Sequence, residues 1–122
     1  FRPFAPSILE SECNNWFVTK YEQDNNVPHM TKVYNFKEDK RKLIPAVCHV
    51  DGTGRLQTVS EKDNKIYFNL IKKFYKKTKV PMLLNTSFNE NEPIVCKPKE
   101  ALNCFLRTNM DILVIGNYIL SK

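Results

Sequence analysis

Apolar residues recur along this chain in two rhythms, one helical and one alternating. Across residues 63–77, Tyr67, Leu70, Ile71, Phe74 and Tyr75 return at helical spacing between lysines, which predicts an amphipathic helix. Pro98 opens a second such pattern, with Glu100 in its first turn and Ala101, Leu102, Phe105 and Leu106 as its apolar face. Residues 10–17 predict a short helix carrying Trp16 and Phe17, and residues 38–42 a charged helical turn before Pro45. Strand character marks residues 4–9, 30–36, 46–50, 55–59, 80–84 and 93–96, with 80–84 apolar enough to be buried. Asp51-Gly52 between two of these runs predicts a β-hairpin, and Gly116-Asn117 between 112–115 and 118–120 predicts another. Residues 18–28 are polar and predict an exposed loop. Hairpins mixed with helices predict an α/β fold of α+β-like character, a mixed, twisted, open sheet flanked by helices.

At 122 residues the chain reads as a single domain, 1–122, large enough to bury a core without staples. The hydrophobic fraction of 42% and charged fraction of 26% are globular values that argue against wholesale disorder. The longest apolar run, Ile112-Leu113-Val114-Ile115, is strand-sized, and no membrane association is expected. Cys13, Cys48, Cys96 and Cys104 are isolated, which suits reduced thiols in a cytoplasmic protein better than a disulfide framework. With only His29 and His49, and no paired ligands at short spacing, no metal site is expected in this chain. No initiator Met or signal peptide opens the chain, and its first residues read as the interior of a longer protein, so a fragment is expected.

The net charge of +6 comes largely from Lys65, Lys72, Lys73, Lys76, Lys77 and Lys79 around the first helix. A lysine face with few arginines reads as a solvated surface before it reads as a nucleic-acid footprint, so nucleic acid is not the expected partner.

Three segments carry more polar groups than their surroundings require. Arg2-Pro3-Phe4-Ala5-Pro6-Ser7 is stiffened by two prolines that hold Arg2 and Ser7 in place, and by local pattern alone it reads as a sheet-edge segment. His49-Val50-Asp51-Gly52-Thr53-Gly54-Arg55-Leu56-Gln57-Thr58-Val59 combines glycines that admit close backbone approach with an arginine able to fork onto a phosphate. The same segment is equally readable as a turn with a solvated arginine. Leu83-Leu84-Asn85-Thr86-Ser87-Phe88-Asn89 runs from an apolar strand into amides and hydroxyls, where ligand groups gather in sheet-and-helix proteins and where local capping does the same. No nucleophile with an adjacent base is visible and the catalytic residues stay unassigned, so the chemistry these segments favour is anion neutralisation and positioning.

In order, these segments, continued by Glu92-Pro93-Ile94-Val95 and closed by Pro98-Lys99-Glu100-Ala101, Phe105, Thr108, Asp111 and Gly116, resemble the C-terminal domain of the NodU/CmcH/TobZ-type O-carbamoyltransferases over nearly the whole chain. The resemblance implies an incomplete YrdC-like fold in which carbamoyl phosphate and ATP, with Mg in the full-length enzyme, form carbamoyl adenylate. An N-terminal actin-like domain of the same protein then passes the carbamoyl group to a hydroxyl of a small molecule or sugar. It implies that Ser87 and Asn89 form the Ser-x-Asn element of the nucleotide and carbamoyl-phosphate site, and that Arg2 and Arg55 are the cations on the phosphates. Ser7, His49, Asp51, Asn85 and Thr86 are expected around them.

The family's domain begins upstream of Phe1, so this chain is expected to be an N-terminally truncated piece with little activity by itself and a tendency to self-associate. Asn91 stands where many members have Gly, and Gly54 where many have Ala. Two other readings differ in class: a non-catalytic anion- or RNA-binding module built on the lysine helix, and a structural domain that docks the rest of the enzyme.

Overall fold

The computed structural model of the chain describes residues 4–20 and 25–122. The chain divides into two compact units, Phe1–Thr86 and Ser87–Lys122.

The first unit is built on a four-stranded sheet with helices and turns on its faces. Its strands are β1 (Ala5–Leu9), β2 (Lys32–Asn35), β3 (Thr53–Val59) and β4 (Met82–Asn85), in the order β2-β3-β1-β4. β1 runs parallel to β3, with Ser7 level with Gln57. It runs antiparallel to β4, where Ala5 meets Asn85 and Ser7 meets Leu83. β2 lies antiparallel to β3, pairing Val33 with Arg55. The result is the mixed α/β sheet that the sequence pattern predicts.

Because successive side chains of a strand alternate between faces, β1 and β3 feed two cores. Ile8 and Leu56 point into the larger one, with Trp16, Phe17, Phe36 and Met82. Leu9 and Val59 point into the other, where Ile71 of α3 (Lys65–Thr78) covers them. β1 is buried along its whole length, as a strand paired on both sides and covered on both faces must be. Short helical pieces, Glu10–Glu12 and α1 (Cys13–Trp16), follow it, and α2 (Glu38–Arg41) follows β2. The side chain of Asn64 caps α3 by accepting from the Tyr67 N–H at 3.0 Å. Lys79 ends the helix in the left-handed region at φ 65°.

Residues 46–50 form no strand, so the expected hairpin around Asp51-Gly52 does not exist. Ile44 and Val47 both enter the core three residues apart, a spacing that a turn supplies and a strand does not. The N–H groups of Val47 and Cys48 accordingly donate back to the Ile44 carbonyl, both at 3.1 Å. Gly52, at φ 81°, closes a tight turn, its N–H donating to the His49 carbonyl at 2.9 Å, and β3 takes β2 as its antiparallel partner instead. The fourth strand also differs from expectation. It is a border strand of the sheet with Leu84 42% exposed rather than a buried run.

The second unit packs α4 (Pro98–Arg107) on the hairpin β5 (Ile112–Ile115) and β6 (Tyr118–Ser121). Ala101 and Phe105 meet Leu113, with Phe88, Val95, Ile115 and Leu120 around them. Gly116 takes the positive φ of 56° that the hairpin turn requires. Residues 93–96 form no strand, because their backbone donors are used elsewhere. Pro93 has no N–H, and the Glu100 carboxylate accepts from Cys96 and Lys97 at 3.0 and 3.1 Å.

Glu92 ties this unit together. Its carboxylate accepts from its own backbone and from the Asn91 N–H, from the Cys104 thiol, and from Arg107 at 2.5 Å. Together these contacts lower its pKa from 4.5 to about 2. The stabilisation they give is complete above pH 4.5 and is lost as the pH falls toward 2. Acid melts of the second unit, followed at Phe105, should therefore steepen through that window. Glu92→Gln should flatten the slope, and an unchanged slope would remove Glu92 as its cause.

Candidate functional site

The face of β3 that carries Val59 under α3 continues outward through Gln57, Arg55 and Thr53, so the covered apolar end gives way to a polar one. There three strands contribute to one hydrogen-bonded group. Ser7 Oγ, fully buried on β1, donates to Gln57 Oε1 at 2.5 Å. Asn85 Nδ2, at the end of β4, donates to the same oxygen at 2.7 Å. Gln57 Nε2 donates to the Pro28 carbonyl at 3.1 Å. Ala5 on β1, level with Asn85, carries only a methyl group, which lets the longer Asn85 and Gln57 side chains meet across β1. Arg55, two residues before Gln57 on the same face, is exposed, and none of the described residues forms an ion pair with it. A cation held open beside amides and a hydroxyl suits an anionic ligand that also carries polar, uncharged groups.

A second group forms at the start of β3. Thr53 Oγ1 donates to Asp51 Oδ1 at 2.7 Å, and the Thr53 N–H donates to the same oxygen at 2.9 Å. These bonds hold the Asp51 carboxyl below the usual carboxylate range. Since the single hydroxyl proton of Thr53 goes to Asp51, His49 Nδ1, at 3.1 Å, must be the donor to Thr53 Oγ1. His49 Nε2 is buried without a hydrogen-bond partner among the described residues. The Arg41 guanidinium, whose Nε donates to the Phe36 carbonyl at 3.3 Å, fills the space where a side chain at Gly52 would project.

Ser87 and Asn89 belong to the second unit. Ser87 Oγ donates to Asn89 Oδ1 at 2.6 Å, and Asn89 Nδ2 donates to the Glu92 carbonyl at 3.0 Å. Of the residues singled out from sequence, Ser7 and Asn85 meet on Gln57, His49 and Asp51 meet on Thr53, and Ser87 and Asn89 meet directly. Thr86 is exposed at the end of the first unit, and Arg2 lies outside the described residues.

Gln57 is the residue that sequence reasoning passed over, although it links the first group. A signal existed in its alternation with Arg55, which places both on one face. Its partners on β1 and β4 depend on strand order, which local pattern does not carry. No group of three His, Cys, Asp or Glu side chains that could hold a metal ion occurs among the described residues.

The family model described as Carbamoyltransferase C-terminus matches residues 1–122. Nodulation protein NolNO of Sinorhizobium fredii is 49% identical over the whole chain, which covers 18% of that protein. Nodulation protein NolO of Bradyrhizobium diazoefficiens is 45% identical, again over the whole chain and 22% of its own length. Nodulation protein U of Azorhizobium caulinodans is 34% identical over 73% of the chain and 15% of its length. The chain thus spans about a fifth of the first curated relatives it matches.

Proposed function

Because the chain belongs to the carbamoyltransferase C-terminus family, we propose that it serves an ATP-dependent O-carbamoyltransferase by binding carbamoyl phosphate and nucleotide. In this reading the domain is YrdC-like. Water splits the carbamoyl–phosphate linkage to give carbamate and phosphate. The carbamate oxygen then bonds the α-phosphorus of ATP, giving carbamoyl adenylate as the bond to pyrophosphate breaks. An actin-like domain of the same protein then delivers the carbamoyl group to a hydroxyl of a small molecule or sugar. The observation that carries the proposal is the exposed Arg55 guanidinium beside Ser7, Gln57 and Asn85 on one sheet face.

Phosphoryl chemistry needs cations and hydrogen-bond donors more than it needs a protein nucleophile, and the Arg55 guanidinium supplies both. Arg55 neutralises phosphate charge, assisted by Arg2. Ser87 and Asn89 contact nucleotide or carbamoyl phosphate. His49, Asp51 and Thr53 hold the turn that leads into Arg55. Mg enters with ATP as part of the substrate. No helix among the described residues is long and apolar enough to cross a membrane. Isolated cysteines that suit reduced thiols support a cytoplasmic setting in this reading. The chain alone supports ligand binding more readily than turnover.

The test is an NMR titration of the isotope-labelled chain with carbamoyl phosphate, with inorganic phosphate as control. Selective shifts at Arg55 and its neighbours, and at residues 87–89, are the expected result. A dispersed spectrum that responds to neither anion would overturn the proposal. A response spread over Lys72, Lys73 and Lys76 and steeply dependent on salt would favour general polyanion binding instead.

A further inference from the structure

The hydrogen-bonding capacities within the Ser7–Gln57–Asn85 group leave Asn85 one orientation. The Pro28 carbonyl can only accept, so Gln57 must turn its Nε2 toward it. That leaves Gln57 Oε1 facing Asn85, and since this oxygen also can only accept, Asn85 must present its Nδ2. Asn85 Oδ1 is thereby turned away from Gln57, and none of the described residues hydrogen-bonds to it. Asn85 is half-buried, on the sheet face that carries Arg55. The protein thus fixes a neutral acceptor near a free cation.

Carbamoyl phosphate has the complementary pattern: a phosphate for the cation and an amide NH₂ that can only donate. Acetyl phosphate has nearly the same shape but carries a methyl group in place of the NH₂. It would desolvate the Asn85 carbonyl oxygen without pairing it.

We infer that Asn85 Oδ1 recognises the NH₂ of the carbamoyl group and that Gln57 is the positioning residue that keeps this oxygen turned outward. The inference rests on the reading of the chain as a carbamoyl-phosphate-binding domain. It adds the group that distinguishes a carbamoyl ligand from an acyl one.

Calorimetric titration of the chain with carbamoyl phosphate, acetyl phosphate, inorganic phosphate and AMP tests it. The wild type should prefer carbamoyl over acetyl phosphate on the order of tenfold. Asn85→Ala should bring that ratio near one while inorganic phosphate still binds as before. Gln57→Met should lower the ratio as well, because Asn85 is then free to rotate. A purely structural role would weaken all ligands together and leave the ratio intact, and that result overturns the inference. So does a wild-type ratio near one, or a loss confined to AMP, which would move Asn85 to the adenine. Failure of the wild type to bind any of the three phosphates overturns the underlying reading, and with it this one.

Discussion

Phe36→Ala is expected to destabilise the first unit by about 3–5 kcal/mol, the range for emptying a buried aromatic site. Three contacts argue for the upper part of that range. Phe36 is fully buried, and its ring lies 4.2 Å from that of Phe17, centroid to centroid, at an interplanar angle of 32°. The ring also covers Gly54 so closely that a Cβ there would overlap it. Its backbone is anchored as well, the N–H donating to the Gly52 carbonyl at 3.0 Å and the carbonyl accepting from Arg41. The surroundings therefore have little freedom to collapse into the space.

Urea denaturation of Phe36→Ala, Gly54→Ala and the double variant measures the effect. The two single changes should be clearly sub-additive, since the shortened side chain at 36 makes room for the methyl at 54. A loss below about 1 kcal/mol for Phe36→Ala would show that this packing is looser than described. The same contact accounts for glycine at position 54, since the Phe36 ring occupies the volume that a methyl group there would need.

Arg55→Gln should weaken carbamoyl phosphate binding about 30-fold, or about 2 kcal/mol, as expected for loss of charge-assisted hydrogen bonds to a phosphate. Folding stability should change by less than about 0.5 kcal/mol, because the side chain is exposed and forms no ion pair among the described residues. Arg55→Lys should recover part of the affinity, since it restores charge without the planar fork. Titration calorimetry with a parallel thermal melt separates the two effects. Equal affinity in wild type and Arg55→Gln would take Arg55 out of the site.

What could be read from sequence followed the range of the interaction. α3 and α4 were legible because apolar periodicity, and at α4 the Pro98 start, act within a few residues. The β5–β6 hairpin was legible because Gly116 acts within its own turn. The turn at Asp51-Gly52 was misread because the apolar run 46–50 looks strand-like until it is known that Val47 shares the core with Ile44, three residues back. In the candidate site, Arg55, Ser7 and Asn85 stood out by residue type. Their meeting on Gln57 depends on β1 lying between β3 and β4, a tertiary fact with no local trace.

The central place of β1 also governs the order in which the unit assembles. Ser7 and its partner Gln57 are 50 positions apart, and β4, the other neighbour of β1, comes later still. At synthesis rates of ~5–20 residues per second, β1 waits several seconds before both of its neighbours exist. Refolding of this unit is correspondingly limited by closure of long loops, while the β5–β6 hairpin forms on the microsecond scale. During the wait an apolar strand has both edges bare. Pro6, one residue ahead of the first parallel partner, removes a ladder donor there and lowers the tendency of the nascent strand to pair with another copy.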